Sequence, residues 1–387
     1  MPFFVPVYLW RLGLDLAGLC LLLGVSGIAF SAALGPWQRL ARGGPFRRLV
    51  GVTFALETAL VLAVVVAGRL LGGGDGGGGT PAVTTLLAAT LVGLANGAYN
   101  AFFWTTQRTL FATLGDERDS GRRYGNLQIV VAVFLKVGIL AGGVLVDADR
   151  VGWALGASAA IALAATLWLA GDAGDAPLHD EPRTGWRESL AFRDGARSAG
   201  VFAVDGPFLY LESHFWTLSL FLLVREDSAR LGVVVVVLTV LFGLLFLLVK
   251  NRIDRSAADV VYRASVALYA LSWLLRVAVD EGSPAAATFA LLIAVTFCSS
   301  LFRLAFNKRF FDIAGTTPGT GAVAYLVAKS HVSQLWIALV FLPLAALLSR
   351  HGTAPPEAVL DGLYVAAAAF ALLYLRYRRP VTPARSG

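Results

Sequence analysis

The chain has 387 residues, of which 57% are hydrophobic and 15% are charged, and its formal net charge is +7 at pH 7. A soluble globular protein has about 25% charged residues, so this composition excludes an ordinary soluble enzyme or binding domain and indicates a chain embedded in a lipid bilayer. The two cysteines lie in different apolar segments, which excludes a disulfide framework and a cysteine metal site.

Eleven apolar segments are long enough to cross the membrane as helices, since the ~30 Å hydrocarbon core requires about 20 residues. None of them alternates polar and apolar residues at period two, which excludes barrel strands. Five segments lie in the first part of the chain, at 15–34, 50–71, 83–111, 127–146 and 151–170. Six lie in the second part, at 201–224, 231–249, 260–279, 285–306, 322–348 and 359–375. The predicted fold class is therefore an all-α polytopic membrane protein.

One polar segment separates these two blocks of spans. It reads "GDAGDAPLHDEPRTGWRESLAFRDGARSAG" and holds two prolines and no apolar run. We therefore predict a first helix bundle over 1–171, a linker over 172–200 and a second bundle over 201–387. Two bundles of spans joined by one polar loop are typical of many secondary transporters.

The basic residues predict the orientation of the chain. If the linker is cytoplasmic, 23 of the 32 lysines and arginines lie on its side of the membrane and two, Lys136 and Lys329, lie inside spans. The remaining seven lie on the outer side: Arg11, Arg69, Arg150, Arg225, Arg230, Arg276 and Arg350. This bias follows the positive-inside rule, so the positive charge needs no nucleic-acid partner. It predicts a multi-pass protein, of the bacterial inner membrane, with a cytoplasmic C-terminus.

The number of spans predicts that the first one is incomplete. Five spans before a cytoplasmic linker place Met1 outside the cell. The apolar start of the chain reaches only to Leu9, which corresponds to ~13 Å of helix and less than half a crossing. We interpret this segment as the outer end of a severed first span, explained either by a start codon upstream of Met1 or by a natural truncation.

With the partial span restored, the plan of six spans, linker and six spans resembles the major facilitator superfamily over essentially the whole chain. The segment "FFVPVYLWRLGLDLAGLCLLLGVSGIAFSAALGP" resembles the passage from the first to the second span of that family. The segment "GRRYGNLQIVVAVFLKVGILAGGVLVDADRVGW" resembles its passage from the fourth-to-fifth loop into the sixth span. The resemblance implies two pseudo-symmetric six-helix bundles around a central cavity, with eleven full spans and one partial span.

The family's cytoplasmic gate motif is matched in part. After the second span, Gly35, Arg47 and Arg48 fit the motif, but Arg42 stands where an aspartate is expected. In the second half, Asp254 and Arg255 are kept. The resemblance implies that these five matching residues clamp the cytoplasmic gate in one state of the transporter.

Charged residues inside the spans are the first candidates for function, because the bilayer cannot satisfy them. Lys136 and Lys329 lie on equivalent helices of the two halves and favour an anionic solute, although a structural ion pair with Glu57, Asp205 or Glu212 is the alternative. Asp205 and Glu212 lie seven residues apart on one helix face. We interpret Glu212, near mid-depth, as the proton carrier, with Asp205 as a second coupling, gate or capping residue.

Polar and aromatic stripes complete the predicted cavity. Their members recur every four residues or flank such a repeat: Asn96, Tyr99, Asn100 and Trp104 in one span, and Ser299 and Arg303 in another. Trp216 lies one turn beyond Glu212. The resemblance assigns these stripes to the spans that line the cavity, while hydrogen bonding between helices is the alternative explanation.

Other function classes lack their signatures in this sequence. The four histidines form no metal-binding motif, and no phosphate loop is present, so neither a catalytic site, nor a cofactor, nor a metal is expected. We predict a monomeric, proton-coupled secondary transporter of a small organic solute that works by alternating access. The alternative is a scaffold or receptor of the same fold that transports nothing.

Overall fold

The computed structural model of the chain describes a set of ranges rather than every residue. The described residues are 5–72, 82–114, 137–138, 140–145, 148, 150–172, 177–194, 196–255, 258–279, 282, 284–316, 321–350 and 355–378. Within these ranges all regular structure is helical. Seven of the described helices are long and apolar enough to cross a membrane. The predicted all-α polytopic membrane fold is confirmed.

The helices before the linker follow the predicted spans. They are α1 (Val5–Arg11), α2 (Leu16–Gly43), α3 (Phe46–Gly72), α4 (Ala82–Leu114) and α5 (Val151–Asp172). Helix α1 overlaps the segment that the sequence predicts as a partial first span, and that interpretation stays a prediction. Helix α2 continues nine residues beyond the predicted end at Leu34, because hydropathy marks the hydrocarbon thickness whereas a helix can continue with paired backbone groups into the interface. Most of the predicted span 127–146, including Lys136, lies outside the described residues.

The linker and the second half supply the remaining helices. The linker contains a short helix, α6 (Trp186–Ala191). The second half contains α7 (Ser198–Tyr210), a π-helical segment (Leu211–Phe215), α8 (Trp216–Leu223), α9 (Ser228–Arg255), α10 (Ala258–Val277), α11 (Ala285–Thr316), α12 (Ala322–Arg350) and α13 (Pro356–Ala371), which ends in a 3₁₀ turn (Leu372–Arg376). The two-bundle division with boundaries at 171 and 201 stays a prediction.

Glycines allow α12 to contact helices from both halves closely. A Cβ atom on Gly27 of α2 would lie 2.5 Å from the backbone carbonyl oxygen of Gln334, and a Cβ on Gly206 of α7 would meet the carbonyl oxygen of Ser333. Small residues of this kind allow helix backbones to approach each other in membranes. Helix α12 is therefore held between α2 of the first half and α7 of the second.

The linker crosses the end of this α2–α12 contact, which we call the linker side of the bundle. Gln38 of α2 donates from Nε2 to the carbonyl oxygen of Thr184 at 3.0 Å, and the N–H of Thr184 donates to Gln38 Oε1 at 2.7 Å. Glu181 accepts hydrogen bonds from the first backbone N–H groups of α12, at 3.2 Å and 3.1 Å. The linker thus binds both halves through groups that would otherwise be left unpaired.

Two further contacts fix the linker. Ser189 Oγ lies 3.1 Å from His331 Nδ1 on α12. The ring of His179 stacks on Trp37 of α2, with centroids 5.9 Å apart. Burial lowers the pKa of His179 below its ordinary value, so this ring packs on Trp37 in the neutral form at pH 7. The described linker residues 177–194 therefore form an ordered segment across the two halves, which we call the strap.

The Gln38→Ala variant is expected to loosen this strap without disturbing the rest of the bundle. The change removes both hydrogen bonds with Thr184, each of which contributes about 1 kcal/mol. Faster amide hydrogen exchange across 178–191 is the expected result. The Thr58→Val variant is the control, because the Thr58 hydroxyl bonds only within α3. Unchanged amide hydrogen exchange of the strap in Gln38→Ala would show that the two hydrogen bonds with Thr184 do not hold it in place.

The opposite end of the bundle also joins the two halves. Trp10 of α1 donates from Nε1 to Glu226 Oε1 at 3.3 Å, and Arg11 Nη1 lies 3.5 Å from Ser228 Oγ. Glu226 follows α8, and Ser228 begins α9. Contacts between the halves therefore exist at both ends, and the polar groups described next lie between them.

Candidate functional site

A partly buried arginine, whose side chain is 18% exposed, joins two carboxylates in the second half. Arg303 of α11 donates from Nε to Glu212 Oε2 and from Nη1 to Asp205 Oδ1, both at 2.7 Å. Its Nη2 also donates to the hydroxyl oxygen of Tyr269 at 3.2 Å. Charge-assisted hydrogen bonds of this length are about twice as strong as neutral ones. The arginine therefore joins α7 and its π-helical segment to α11. We call Arg303, Glu212 and Asp205, together with the Lys329 that contacts Asp205, the charge cluster.

Asp205 is the most enclosed member of the cluster, with 0% of the residue exposed. The Lys329 ammonium lies 2.9 Å from Asp205 Oδ2, and the Tyr374 hydroxyl donates to Oδ1 at 2.9 Å. The lysine also lies over the rings of Phe306 and Phe310, at 5.1 Å and 4.7 Å. Of the three partners that the sequence offers for Lys329, the structure selects Asp205.

The Asp205–Lys329 contact is expected to behave as a coupled pair. Lys329→Met and Asp205→Asn should each lower the stability of the bundle, because each leaves a buried charge with fewer partners, whereas the double variant should lose less than the sum. A coupling free energy of about 1–3 kcal/mol is expected from a double-mutant cycle of unfolding in detergent micelles. Lys308→Met, which changes an exposed lysine on α11, is the control. Additive effects of the two changes would contradict the pairing.

Glu212 differs from Asp205 in its surroundings. It lies in the π-helical segment, in which the Trp216 N–H bonds the Leu211 carbonyl, and such segments occur frequently at functional sites. Its side chain is 16% exposed, against 0% for Asp205. Its second oxygen, Oε1, is buried and accepts no hydrogen bond from the described residues. Glu212 thus has one oxygen that accepts from Arg303 and a second, buried oxygen that is not paired with it.

A second arginine in the same half, Arg276, is buried. Arg276 of α10 is 3% exposed and donates to Ser272 Oγ at 3.1 Å and to Ser299 Oγ at 2.9 Å. Its guanidinium lies 3.9 Å from the ring centroid of Trp273 and 5.1 Å from that of Trp216. The structure thus connects Ser299 and Trp216, two predicted cavity residues, through Arg276.

The sequence analysis did not predict that Arg276 is buried. Its position near a span end assigns it to the outer side of the membrane, which stays a prediction, but distance along the chain does not report burial. Its position four residues after Ser272 and three after Trp273 is the available signal, because these spacings bring side chains together on one helix face. Four aromatic or polar neighbours then replace water around the guanidinium.

An aromatic group holds the second-half site in place. The Tyr269 and Phe302 rings stack at 4.0 Å with an interplanar angle of 13°, and Phe302 meets the edge of Tyr374 at 4.7 Å. Tyr269 and Tyr374 are also the two hydroxyl groups that contact the charge cluster. Aromatic packing against the rings of Tyr269 and Tyr374 therefore positions their hydroxyl groups at the charge cluster.

The first half carries a ladder of side-chain hydrogen bonds. Trp104 Nε1 donates to Asn100 Oδ1 at 3.0 Å, Asn100 Nδ2 donates to Asn96 Oδ1 at 2.9 Å, and Asn96 Nδ2 donates to Ser26 Oγ of α2 at 3.0 Å. Ser26 Oγ lies 3.4 Å from the Tyr210 hydroxyl of α7. Asn96, Asn100 and Trp104 therefore contact one another through the predicted four-residue spacing. Asn96 connects α4 to α2, and Ser26 connects α2 to Tyr210 of the second half.

The other predicted site residues lie elsewhere or are not described. Tyr99 is buried, stacks on Phe103 at 5.5 Å and faces Glu57 and Leu155 across a small cavity, so it does not join the ladder. Gly35, Arg47 and Arg48 lie at the linker-side ends of α2 and α3. The side chains of Asp254 and Arg255 and the whole of Lys136 lie outside the described part of the structure. Where the chain is described, no group of three or more His, Cys, Asp or Glu residues could hold a metal ion.

Comparison with known proteins places the fold. No protein-family model matches the sequence, and no curated protein matches it. The structure is similar to the nucleoside transporter NupG, with a TM-score of 0.60, 13% identity and coverage of 96% of this chain and 95% of that one. It is similar to the E. coli fucose:proton symporter FucP (TM-score 0.51, 17% identity, 98% and 99% covered). It is also similar to an auto-inhibited POT family peptide transporter (TM-score 0.53, 13% identity, 100% and 98% covered).

These identities are low, so the similarity concerns the fold. FucP is a major facilitator superfamily transporter. The predicted resemblance is thereby confirmed at the level of architecture: the chain has the polytopic all-α fold of major facilitator transporters over nearly its whole length.

Proposed function

We propose that this chain is a proton-coupled secondary transporter of a small organic solute that works by alternating access. The observation that carries the proposal is the bridge from Arg303, which lies in a helix long enough to cross a membrane, to Glu212 and Asp205 in the consecutive helical segments 198–223. Charged side chains at this depth are costly and mark solute or proton pathways by default. The similar structures of a nucleoside transporter, a fucose:proton symporter and a peptide transporter support the same class.

The proposal assigns the proton to Glu212. When a proton binds the carboxylate, the charge-assisted bond with Arg303 weakens, and the guanidinium keeps only Asp205 as an ionic partner. An anionic group of the solute can then contact the freed face of Arg303. Release of the proton restores the Arg303–Glu212 bond and displaces the solute. Asp205 keeps its charge throughout, because Arg303, Lys329 and Tyr374 all surround it.

The contacts at the two ends of the bundle fit alternating access. In the proposed topology the linker side is cytoplasmic, and the strap from Glu181 to Ser189 closes that side. The bond between Trp10 and Glu226 closes the outer side. The halves of a transporter rock about a central site, so each set of contacts must open in turn.

The charges of the described site favour an anionic solute. Three cations, Arg276, Arg303 and Lys329, face two carboxylates, Asp205 and Glu212. One positive charge is therefore left for a solute when both acids are ionised. In the sequence, Lys136 and Lys329 together suggested the anion. Because Lys329 is paired with Asp205, Arg276 carries this part of the proposal within the described residues.

A thermal-shift screen followed by flux measurement tests the transport function. The panel contains nucleosides, deoxy sugars, dipeptides and small carboxylates, each added to the purified full-length protein. Any solute that raises the unfolding temperature is then assayed for uptake into proteoliposomes. Uptake that saturates and exceeds that of empty liposomes supports the transporter. Stabilising solutes that never cross the membrane would favour the scaffold or receptor.

A further inference from the structure

A second cavity lies on the linker side, away from the charge cluster. It has a volume of about 470 Å³ and lies between α2, α12 and the strap. Ile28 and Ala32 of α2 and Leu335 of α12 form apolar walls, and Arg39 and Arg183 lie beside them. The cavity thus combines an apolar floor within membrane helices with a basic end at the helix termini.

The cavity lies beside faces of α2 and α12 that differ from those that carry the ladder and the charge cluster. On α2, Ser26 points to Asn96 of α4, and Ile28 lies two residues later, about 200° around the helix. On α12, Lys329 points to Asp205, and His331, which lines the cavity, lies about 200° from it. On both helices the cavity residues therefore lie on a different face from Ser26 and Lys329; Ile28 is 47% exposed, whereas His331 is buried against Ser189 of the strap.

The electrostatic character of the cavity is basic. Arg39 and Arg183 are exposed, and in the described part of the chain neither has a carboxylate within ion-pair distance. The residues that line the cavity include no acid. Two acids of the strap are engaged in backbone contacts: Glu181 with the start of α12, and Glu188 with the Gly185 N–H at 2.8 Å. A third, Asp180, is exposed and is not part of the cavity lining. Two guanidinium groups thus line a cavity that has no acidic wall residue.

An exposed tryptophan completes the site. Trp186 lines the cavity and is 57% exposed, and the Arg187 guanidinium lies 5.3 Å from the centroid of its ring. Tryptophan and arginine side chains are enriched at the level of lipid headgroups, where an amphipathic ring or stem meets both hydrocarbon and water. This end of the cavity therefore has the composition of a membrane interface.

We propose that the cavity binds one anionic phospholipid of the leaflet on the linker side. The phosphate lies between Arg39 and Arg183, and one acyl chain follows Ile28, Ala32 and Leu335 toward the bilayer centre. Basic pockets between transmembrane helices on the cytoplasmic side bind anionic headgroups by this chemistry. Because Arg39 belongs to α2 and Arg183 to the strap, the bound lipid also holds the strap against the bundle.

Thermal unfolding of the purified full-length protein tests the lipid site independently of transport. The probes are phosphatidylglycerol, phosphatidylcholine and inorganic phosphate. Only phosphatidylglycerol is expected to raise the unfolding temperature. The Arg39→Gln/Arg183→Gln variant should bind it roughly 30-fold more weakly, since each basic residue near an anionic lipid contributes a factor of about five. Ala32→Trp, which fills the apolar wall without changing charge, should also weaken binding.

The control carries the same loss of charge elsewhere on the linker side. Arg263→Gln/Arg378→Gln changes two exposed arginines outside the cavity and should keep wild-type affinity for phosphatidylglycerol. Equal loss in this control would overturn the site in favour of general surface attraction. Equal protection by inorganic phosphate would overturn the assignment to a lipid. If Arg39→Gln/Arg183→Gln fails to fold, Ala32→Trp decides, and wild-type affinity in that variant contradicts the proposal.

Discussion

The Arg303→Leu variant is expected to lose both transport and much of its stability. Removal of the guanidinium leaves Glu212 and Asp205 without their shared cation in a site that is largely closed to water. Loss of one partner from a buried ionic group costs about 3–5 kcal/mol in the free energy of unfolding. Unfolding in mixed detergent micelles and solute uptake by proteoliposomes give the two measurements. Arg263→Leu, at an exposed position on α10, should change stability by about 0.5 kcal/mol or less.

A compensated variant separates structure from transport. Arg303→Leu/Glu212→Gln removes one cation and one acid together and leaves the Asp205–Lys329 contact in place. We expect this variant to recover most of the lost stability and to remain inactive in uptake. Recovery of uptake together with stability would show that the bridge is only a structural ion pair, and would contradict the proposed site.

The Glu212→Gln variant is expected to uncouple solute movement from the proton gradient. Glutamine keeps the size of the side chain and an acceptor for Arg303, but it cannot take up and release a proton. Exchange of solute across the membrane should continue, because it requires no net proton movement. Accumulation should fall from about tenfold per pH unit, the limit for one proton per solute in an electroneutral cycle, to equilibration.

Glu357→Gln is the matched control for that experiment. Glu357 is exposed in the first turn of α13, so it is a carboxylate outside the charge cluster and outside the contacts between the two halves. This control should keep concentrative uptake. Concentrative uptake by Glu212→Gln itself would remove Glu212 from the coupling mechanism.

Hydropathy alone predicted the helical spans, because the length of an apolar run follows from bilayer thickness. The four-residue spacing of Asn96, Asn100 and Trp104 likewise predicted their common face, and they form one ladder. Such features are local, since they depend on helix geometry rather than on the partner that a helix meets. The partial first span and the two-bundle boundaries depend on topology and stay predictions.

The pairings between helices could not be predicted in the same way. Glu212 and Arg303 were both predicted site residues, but they lie on separate spans. Their contact was not predicted, because the sequence does not show how far one helix is shifted along the other. The burial of Arg276 was not predicted, because distance along the chain does not record its contacts with Trp273 and Trp216. The strap was predicted as a loop because its hydrogen bonds with Gln38 depend on contacts 146 residues apart.

Simultaneous recording of solute and proton entry tests the central claim most directly. Proteoliposomes that contain the wild-type chain and a pH-sensitive dye receive a solute identified by the thermal-shift screen, without an imposed gradient. Acidification of the lumen in step with solute entry, absent in Glu212→Gln, is the result predicted by proton transfer at Glu212. Solute entry by the wild-type chain at constant lumenal pH would contradict it.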